Sequence, residues 1–484
     1  MNKNYLKYLI RNYRVALLFY AVVAIGISSA PLITSDGSFG NYSVSIQFML
    51  IMSIVMTYVL PVLLFSFVHR RRSADLYFAL PISRKEQLIT NLLFAFGCIF
   101  GVFVLGAFIL YIPSASAVRF VYVLKMIAAA ALCFASLILI HSAWNLIANN
   151  LFDGIVMIAA WSVLPLLIYL AITSFASTMV AGQSTHSIPE IGMWLSPLAM
   201  SIRNLFNVSD EIFEPSIPYF ILIALWGVIG AIGCGYHFIN RKSERAEQLS
   251  DDPLAYPLII NTYAFGILII LADEFVSERS MELISLYLLL LFVYVVAQFV
   301  YRRKIRITPK ILITFGLWTA AAFVFASTAF YTRGFGLADR YSINDNTHIK
   351  ISYNATVSRD DLTQPAVYEE TLQDQTVYLE AQMFMPVAEY VKDENLYNAL
   401  EKYRRAGIDA FYSGKTEYNL GLMFTNCSGQ GYDYTNNYSY FLNEAITLDD
   451  LKTIDKSPYA SVTIWDPTRD STLTLTEWLN QKGK

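Results

Sequence analysis

Apolar residues run for about twenty positions at a time, again and again, between Val15 and Phe330, with polar residues gathered between the runs. About twenty such residues in a helix cross the roughly 30 Å of a bilayer's hydrocarbon. The runs are Val15–Ile33, Val44–Val68, Leu88–Ile112, Val121–Ile147, Leu151–Ser174, Ile217–Phe238, Leu254–Leu271, Met281–Tyr301 and Ile311–Phe330. The seventh is the least continuous, because Pro257 and Asn261 interrupt it. Ahead of the first run, Tyr5, Leu6, Leu9, Ile10 and Tyr13 recur at helical spacing, with Lys7 and Arg11 on the other side. That pattern fits either a short helix lying along the membrane surface or a plain basic flank.

Beyond Tyr331 the pattern changes. His348–Tyr353, Thr376–Met383, Tyr418–Thr425, Tyr434–Phe441 and Ala460–Trp465 alternate, or are rich in β-branched and aromatic residues, and predict strands. Ser428-Gly429-Gln430-Gly431 supplies a hairpin turn between two of them. Asp393–Arg405 places Leu396, Tyr397, Leu400 and Tyr403 on one face, with Gly407 as a stop. The fold class is thus a polytopic α-helical membrane protein with about nine spans and a C-terminal α+β domain.

Composition supports the division. Only 15% of the residues are charged, against roughly a quarter in soluble domains. Residues 331–484 hold 14 basic and 22 acidic side chains, a net charge of −8, whereas residues 1–330 carry a net +5. Cys98, Cys133 and Cys234 fall inside apolar runs, and Cys427 is the tail's single cysteine, so the tail must fold on its own core without an internal disulfide. No cleavage site follows the first run, which reads as a retained anchor.

Basic residues in short loops set the orientation. Lys3, Lys7, Arg11, Arg14, Arg70, Arg71, Arg72, Arg84, Lys85, Arg241, Lys242, Arg245, Arg302, Arg303, Lys304, Arg306 and Lys310 share one side. Arg119, Lys125, Arg203 and Arg279 are on the other. The expectation is a cytoplasmic N-terminus and, after an odd number of spans, an extracellular tail in the cell membrane.

The loop between the second and third runs carries the most information. Asp75–Leu80 predicts a short helix that Pro81 ends, and Ser83 with Glu86 forms a capping box for the next helix. Tyr77 and Phe78 face water on this reading unless another protein covers them, which makes them a docking knob. The alternative is a turn packed against its own bundle. The run Arg72-Ser-Ala-Asp-Leu-Tyr-Phe-Ala-Leu-Pro-Ile-Ser-Arg84 resembles the coupling-helix segment of ABC-2-type transporter permeases. Six spans up to Phe238, the outer segment Trp194-Leu-Ser-Pro-Leu-Ala-Met200 and the stretch Arg241–Ala246 are similar to features of that family in Gram-positive bacteria.

The resemblance covers residues 1–300. It implies a six-span core over residues 1–240; the three additional spans over 241–330 and the domain over 331–484 depart from the minimal six-span permease. It also implies a homodimer or heterodimer with another permease, and export driven by a separate ABC ATP-binding subunit. That subunit would dock on Arg72, Asp75, Leu76, Tyr77, Phe78, Leu80 and Arg84. A different class of reading is a membrane-bound sensor or regulatory scaffold whose outer domain binds ligand without transport.

The chain itself offers no nucleotide site, cofactor or catalytic centre. Gly414-Lys415-Thr416 lacks the earlier glycine of a phosphate-binding loop, Asp409 standing there. His69, His141, His186, His237 and His348 show no zinc spacing. His141 lies within the fourth run with Asn145 one turn on, either an intramembrane polar site or an imidazole bonded between helices. Asp273 and Glu274 end the seventh run and are expected in solvent. Tyr432, Tyr434, Tyr438 and Tyr440 alternate and form either a platform for a cationic peptide or sugar, or part of a core. An acidic tail repels the phosphate backbone, so nucleic acid is not expected as a partner.

Overall fold

In the computed structural model, the described residues are 3–33, 39–115, 118–181, 195–206, 208–209, 212–213, 217–250, 252–278, 281–338, 347–360, 362, 376–413, 421–428, 435–442, 446–467 and 470–482. Among them, nine helices are long and apolar enough to cross a membrane. They are α1 (Lys3–Ile33), α2 (Phe39–Leu64), α4 (Arg84–Ser114), α5 (Phe120–Ile147), α6 (Leu151–Met179), α8 (Ile217–Ile239), α9 (Tyr256–Glu278), α10 (Leu283–Arg302) and α11 (Pro309–Tyr331). Two shorter helices, α3 (Arg71–Phe78) and α7 (Pro197–Phe206), lie between them. A small hairpin of β1 (Val208–Ser209) and β2 (Ile212–Phe213) follows α7. Hydrocarbon offers backbone groups no partner, so each apolar run must satisfy its own N–H and C=O groups as a helix. The chain is a multi-pass helical membrane protein.

Some expectations need correction. The first helix is one rod of 31 residues with no separate surface helix before it. Nothing between Lys3 and Ala30 breaks a helix, and Tyr5 and Leu9 are buried in the same core as the span that follows. Pro257 does not interrupt the seventh span, because it is the second residue of α9, where its missing N–H has no helical partner to lose. Asn261 is likewise accommodated: its amide donates to Pro257 O at 2.7 Å and its oxygen accepts from the Tyr294 hydroxyl at 2.9 Å. Asp273 is fully buried within α9 rather than solvated at a helix end, since the helix continues five residues further to Glu278.

The contacts divide the chain into two compact units. The first comprises residues 1–169, 190–263 and 294–307; the second comprises 170–189, 264–293 and 308–484. In the first unit α5 is central, and α8 packs closely along it. Glycines make this possible: a Cβ on Gly230 would lie 2.6 Å from Ile140 N and 2.7 Å from the Leu139 carbonyl carbon. One on Gly227 would meet Ser136 Oγ at 2.6 Å. Close helix approach through small residues is the usual means of association where lipid removes the hydrophobic drive. Pro61 inside α2 denies Thr57 its helical donor, and His141 of α5 replaces it. The His141 Nδ1–H donates to Thr57 O at 3.0 Å, and Asn145 Nδ2 donates to Pro61 O at 3.4 Å. The histidine and asparagine thus clip α5 to the proline-broken ladder of α2.

The second unit contains the C-terminal α+β fold. Its elements are β3 (Thr347–Ser358), β4 (Thr376–Pro386), α12 (Val387–Lys392), α13 (Glu394–Ser413), β5 (Gly421–Ser428), β6 (Thr435–Leu442), α14 (Leu448–Asp455), β7 (Ala460–Asp466), β8 (Ser471–Thr474) and α15 (Leu475–Lys482). All six strands pair antiparallel in the order β6-β5-β3-β4-β7-β8. Alternate positions of β4, from Val377 to Met385, are buried, and Leu396, Leu400, Ile408, Leu451 and Trp478 from the helices join that core. The helix expected to stop at Gly407 continues to Ser413. Ile408 and, in part, Phe411 and Tyr412 extend its apolar face, and burying them outweighs the ~1 kcal/mol that glycine costs a helix.

Candidate functional site at the first loop

Between α2 and α4 the chain makes one tight turn, Ser66–His69, then α3, then the link Ala79–Ser83. The helix starts at Arg71, earlier than expected, and ends at Phe78, because the residue before Pro81 is kept out of the helical region. The capping box at the start of α4 is formed as the sequence predicts. Glu86 N donates to Ser83 Oγ at 3.2 Å and Ser83 N to Glu86 Oε2 at 3.4 Å. Ser83→Ala is expected to cost about 1 kcal/mol and to lower the thermal midpoint by a few degrees without loss of insertion. An unchanged midpoint would show that packing alone sets this helix start.

The aromatic pair does not project. Tyr77 stacks on Phe67 with centroids 4.2 Å apart, and its hydroxyl is 2.7 Å from that of Tyr8 on α1. Phe78 sits edge-on to Phe67 and to Phe238 of α8, at 6.3 and 6.0 Å. Both are half-buried. The outward positions of α3 are Arg71, Arg72, Asp75 and Leu76, with Leu80 beyond its end; Leu76 is 67% exposed and Leu80 37%. An eight-residue helix has one face to bury, and here that face takes the two large rings.

Arg84 is likewise turned inward. Its guanidinium lies 4.3 Å over the Phe78 ring, and Nη1 donates to Ile239 O at 2.9 Å and to Arg241 O at 2.6 Å. It therefore caps the C-terminus of α8, where the helix dipole favours a cation. Arg241 does the same for α5, donating to Leu146 O and Ala148 O, both at 2.8 Å. Burial pulls the Arg241 guanidinium down to about 10, with Arg245 adding to the shift, so it stays charged at neutral pH.

His69, 1% exposed, lies near Arg241 and Asn145. Burial, reinforced by the charge of Arg241, holds its imidazole down at about 3. The folded chain then refuses a proton that an unfolded histidine accepts below about 6.5. Stability is expected to be full above pH 6.5 and to fall on acidification, by up to ~1.4 kcal/mol per pH unit. The thermal midpoint measured from pH 7 to 5 should drop more steeply in the parent than in His69→Gln. Parallel curves would remove His69 as the cause.

Alongside α3 runs an apolar groove of about 560 Å³, lined by Asn4, Tyr5, Tyr8, Leu76, Tyr77, Leu80, Pro81 and Ile82. Tyr5 is held there by its hydroxyl, which donates to Asn91 Oδ1 at 3.1 Å. Sequence reasoning missed Tyr8 and Phe67. The i, i+3 spacing of Tyr5 and Tyr8 is visible in the chain, but nothing local ties either to residue 77.

The other sequence-predicted residues lie elsewhere. His141 and Asn145 are in the α2–α5 clip, and the His141 ring also lies 3.8 Å from that of Tyr58. Tyr438 and Tyr440 are on β6, paired with Asn426 and Phe424, which pair in turn with Ile349 and Ile351. Tyr432, Tyr434, Trp194 and Gly414–Thr416 lie outside the described residues. Compared with known proteins, the chain has no match: no protein family, no curated protein and no solved structure is similar to it.

Proposed function

We propose that this chain is the membrane subunit of an ATP-driven exporter of the ABC-2 type, with ATP hydrolysed by a separate ABC ATP-binding subunit. The supporting observation is a short, rigidly bounded helix between two spans that shows Leu76 and Leu80 beside an apolar groove. The coupling-segment resemblance of Arg72–Arg84 supports the same reading. A force applied at Leu76 passes to α2 through the Ser66–His69 turn and to α4 through the capping box. It reaches α8 through Phe78, Phe238 and Arg84, so one contact moves the ends of three spans together. On this reading the basic loops are cytoplasmic, the C-terminal domain is extracellular, and two permease subunits, alike or different, form the path. On the same reading the nucleotide is held by the ATP-binding subunit rather than by this chain.

Co-expression with ABC ATP-binding subunits from the same genome, affinity purification through this chain and ATPase assay in proteoliposomes test the proposal. Stoichiometric co-purification with an ATPase activity that needs the membrane subunit is expected. Purification of this chain alone under those conditions counts against it.

A further inference from the structure

One face of the six-stranded sheet is packed by helices; the opposite face carries an aromatic pair. Tyr378 of β4 and Trp465 of β7 are directly paired across the strands, with ring centroids 5.1 Å apart, and are 46% and 42% exposed. Glu380 and Gln382 follow on the same face of β4, and Gln382 Nε2 donates to Glu380 Oε1 at 2.6 Å. Opposite Glu380 are Asn354 and Thr463, and beside Tyr378 is Thr356. Two adjacent rings bordered by amides, hydroxyls and one carboxylate make a flat surface with apolar and hydrogen-bonding parts side by side.

We propose that this open sheet face binds a neutral oligosaccharide, Tyr378 and Trp465 stacking on sugar rings while Glu380 and Gln382 bond their hydroxyls. A sugar ring has an apolar C–H face and polar edges, and sheet faces with exposed aromatics recognise it in other β folds. Charge selects a neutral ligand. Residues 331–484 carry a net −8, which repels anionic polymers. A cationic peptide finds little purchase on this face, because the charge of its one carboxylate, Glu380, is offset by the ammonium of Lys350, exposed on the same face. A cross-strand aromatic pair alone stabilises a sheet by no more than about 1 kcal/mol, so the substitutions below leave the fold intact.

The test uses the full chain in lipid nanodiscs and isothermal titration calorimetry with four probes: hexasaccharides of β-linked glucose and of β-linked N-acetylglucosamine, hexalysine, and a short polyphosphate. At least one hexasaccharide is expected to bind, and Trp465→Ala or Tyr378→Ala should each weaken it roughly tenfold while lowering the thermal midpoint by no more than a few degrees. Gln382→Ala should weaken it less. The proposal is overturned if neither sugar saturates below about 10 mM. It is equally overturned if Trp465→Ala binds as the parent does, or if hexalysine or polyphosphate is the preferred probe.

Discussion

Replacing Leu76 by aspartate is expected to abolish co-purification of the proposed ATP-binding subunit while leaving this chain folded. Leu76 is 67% exposed, so the change removes little internal contact and should barely move the thermal midpoint. At an interface the same change loses the burial of a leucine side chain, about 1.5–3 kcal/mol, and adds a charge to a desolvated patch. Together these weaken docking roughly a hundredfold or more. Phe78→Ala should behave in the opposite way. It opens a hole among Phe67, Phe238 and the Arg84 guanidinium, so the expected signature is a lower thermal midpoint, with docking reduced only as the helix loosens. If Leu76→Asp retains its partner at parental stoichiometry, the groove beside α3 is not the docking surface.

Gly230→Leu is expected to yield no monodisperse protein in detergent. Its Cβ would stand within 3 Å of three backbone atoms of Leu139 and Ile140, and a helix backbone cannot step aside as a side chain can. The two most closely packed spans would have to separate, at several times the usual 1–3 kcal/mol of overpacking. Gly235→Leu, in the same helix with nothing within 4 Å of its Cβ, is the control. It should purify normally, and Gly235→Ala should be neutral or slightly stabilising through helix propensity. Gel filtration and thermal midpoints decide. A well-behaved Gly230→Leu would mean that α5 and α8 do not meet as described.

How far the chain could be read in advance varied with range. The nine long apolar helices were legible, because a run of twenty apolar residues has one way to satisfy its backbone in lipid. The capping box and five of the six strands in the sheet were legible for the same local reason: spacing of a few residues defines them. The sixth, Ser471–Thr474, is too short and too polar to stand out. The end of α13 was misplaced, because a glycine is a weak stop when the residues beyond it have a core to enter.

At the candidate site the balance reverses. That residues 66–86 form a short helix between two spans follows from Pro81, Ser83 and Glu86, all within one loop. Which side chains that helix turns outward does not. Tyr77 and Phe78 face inward because Phe67, Phe238 and Tyr8 surround them, two of these lying far off in the chain. Arg84 is spent on the end of α8, some 155 residues away in sequence. His141 answers a carbonyl that Pro61 frees 84 positions earlier. Local chemistry therefore determined the elements, their membrane character and the division between apolar body and acidic tail. The tertiary structure alone decided which large apolar residue of α3 is turned outward, and it is Leu76, because a short amphipathic helix buries whichever face its distant neighbours can cover.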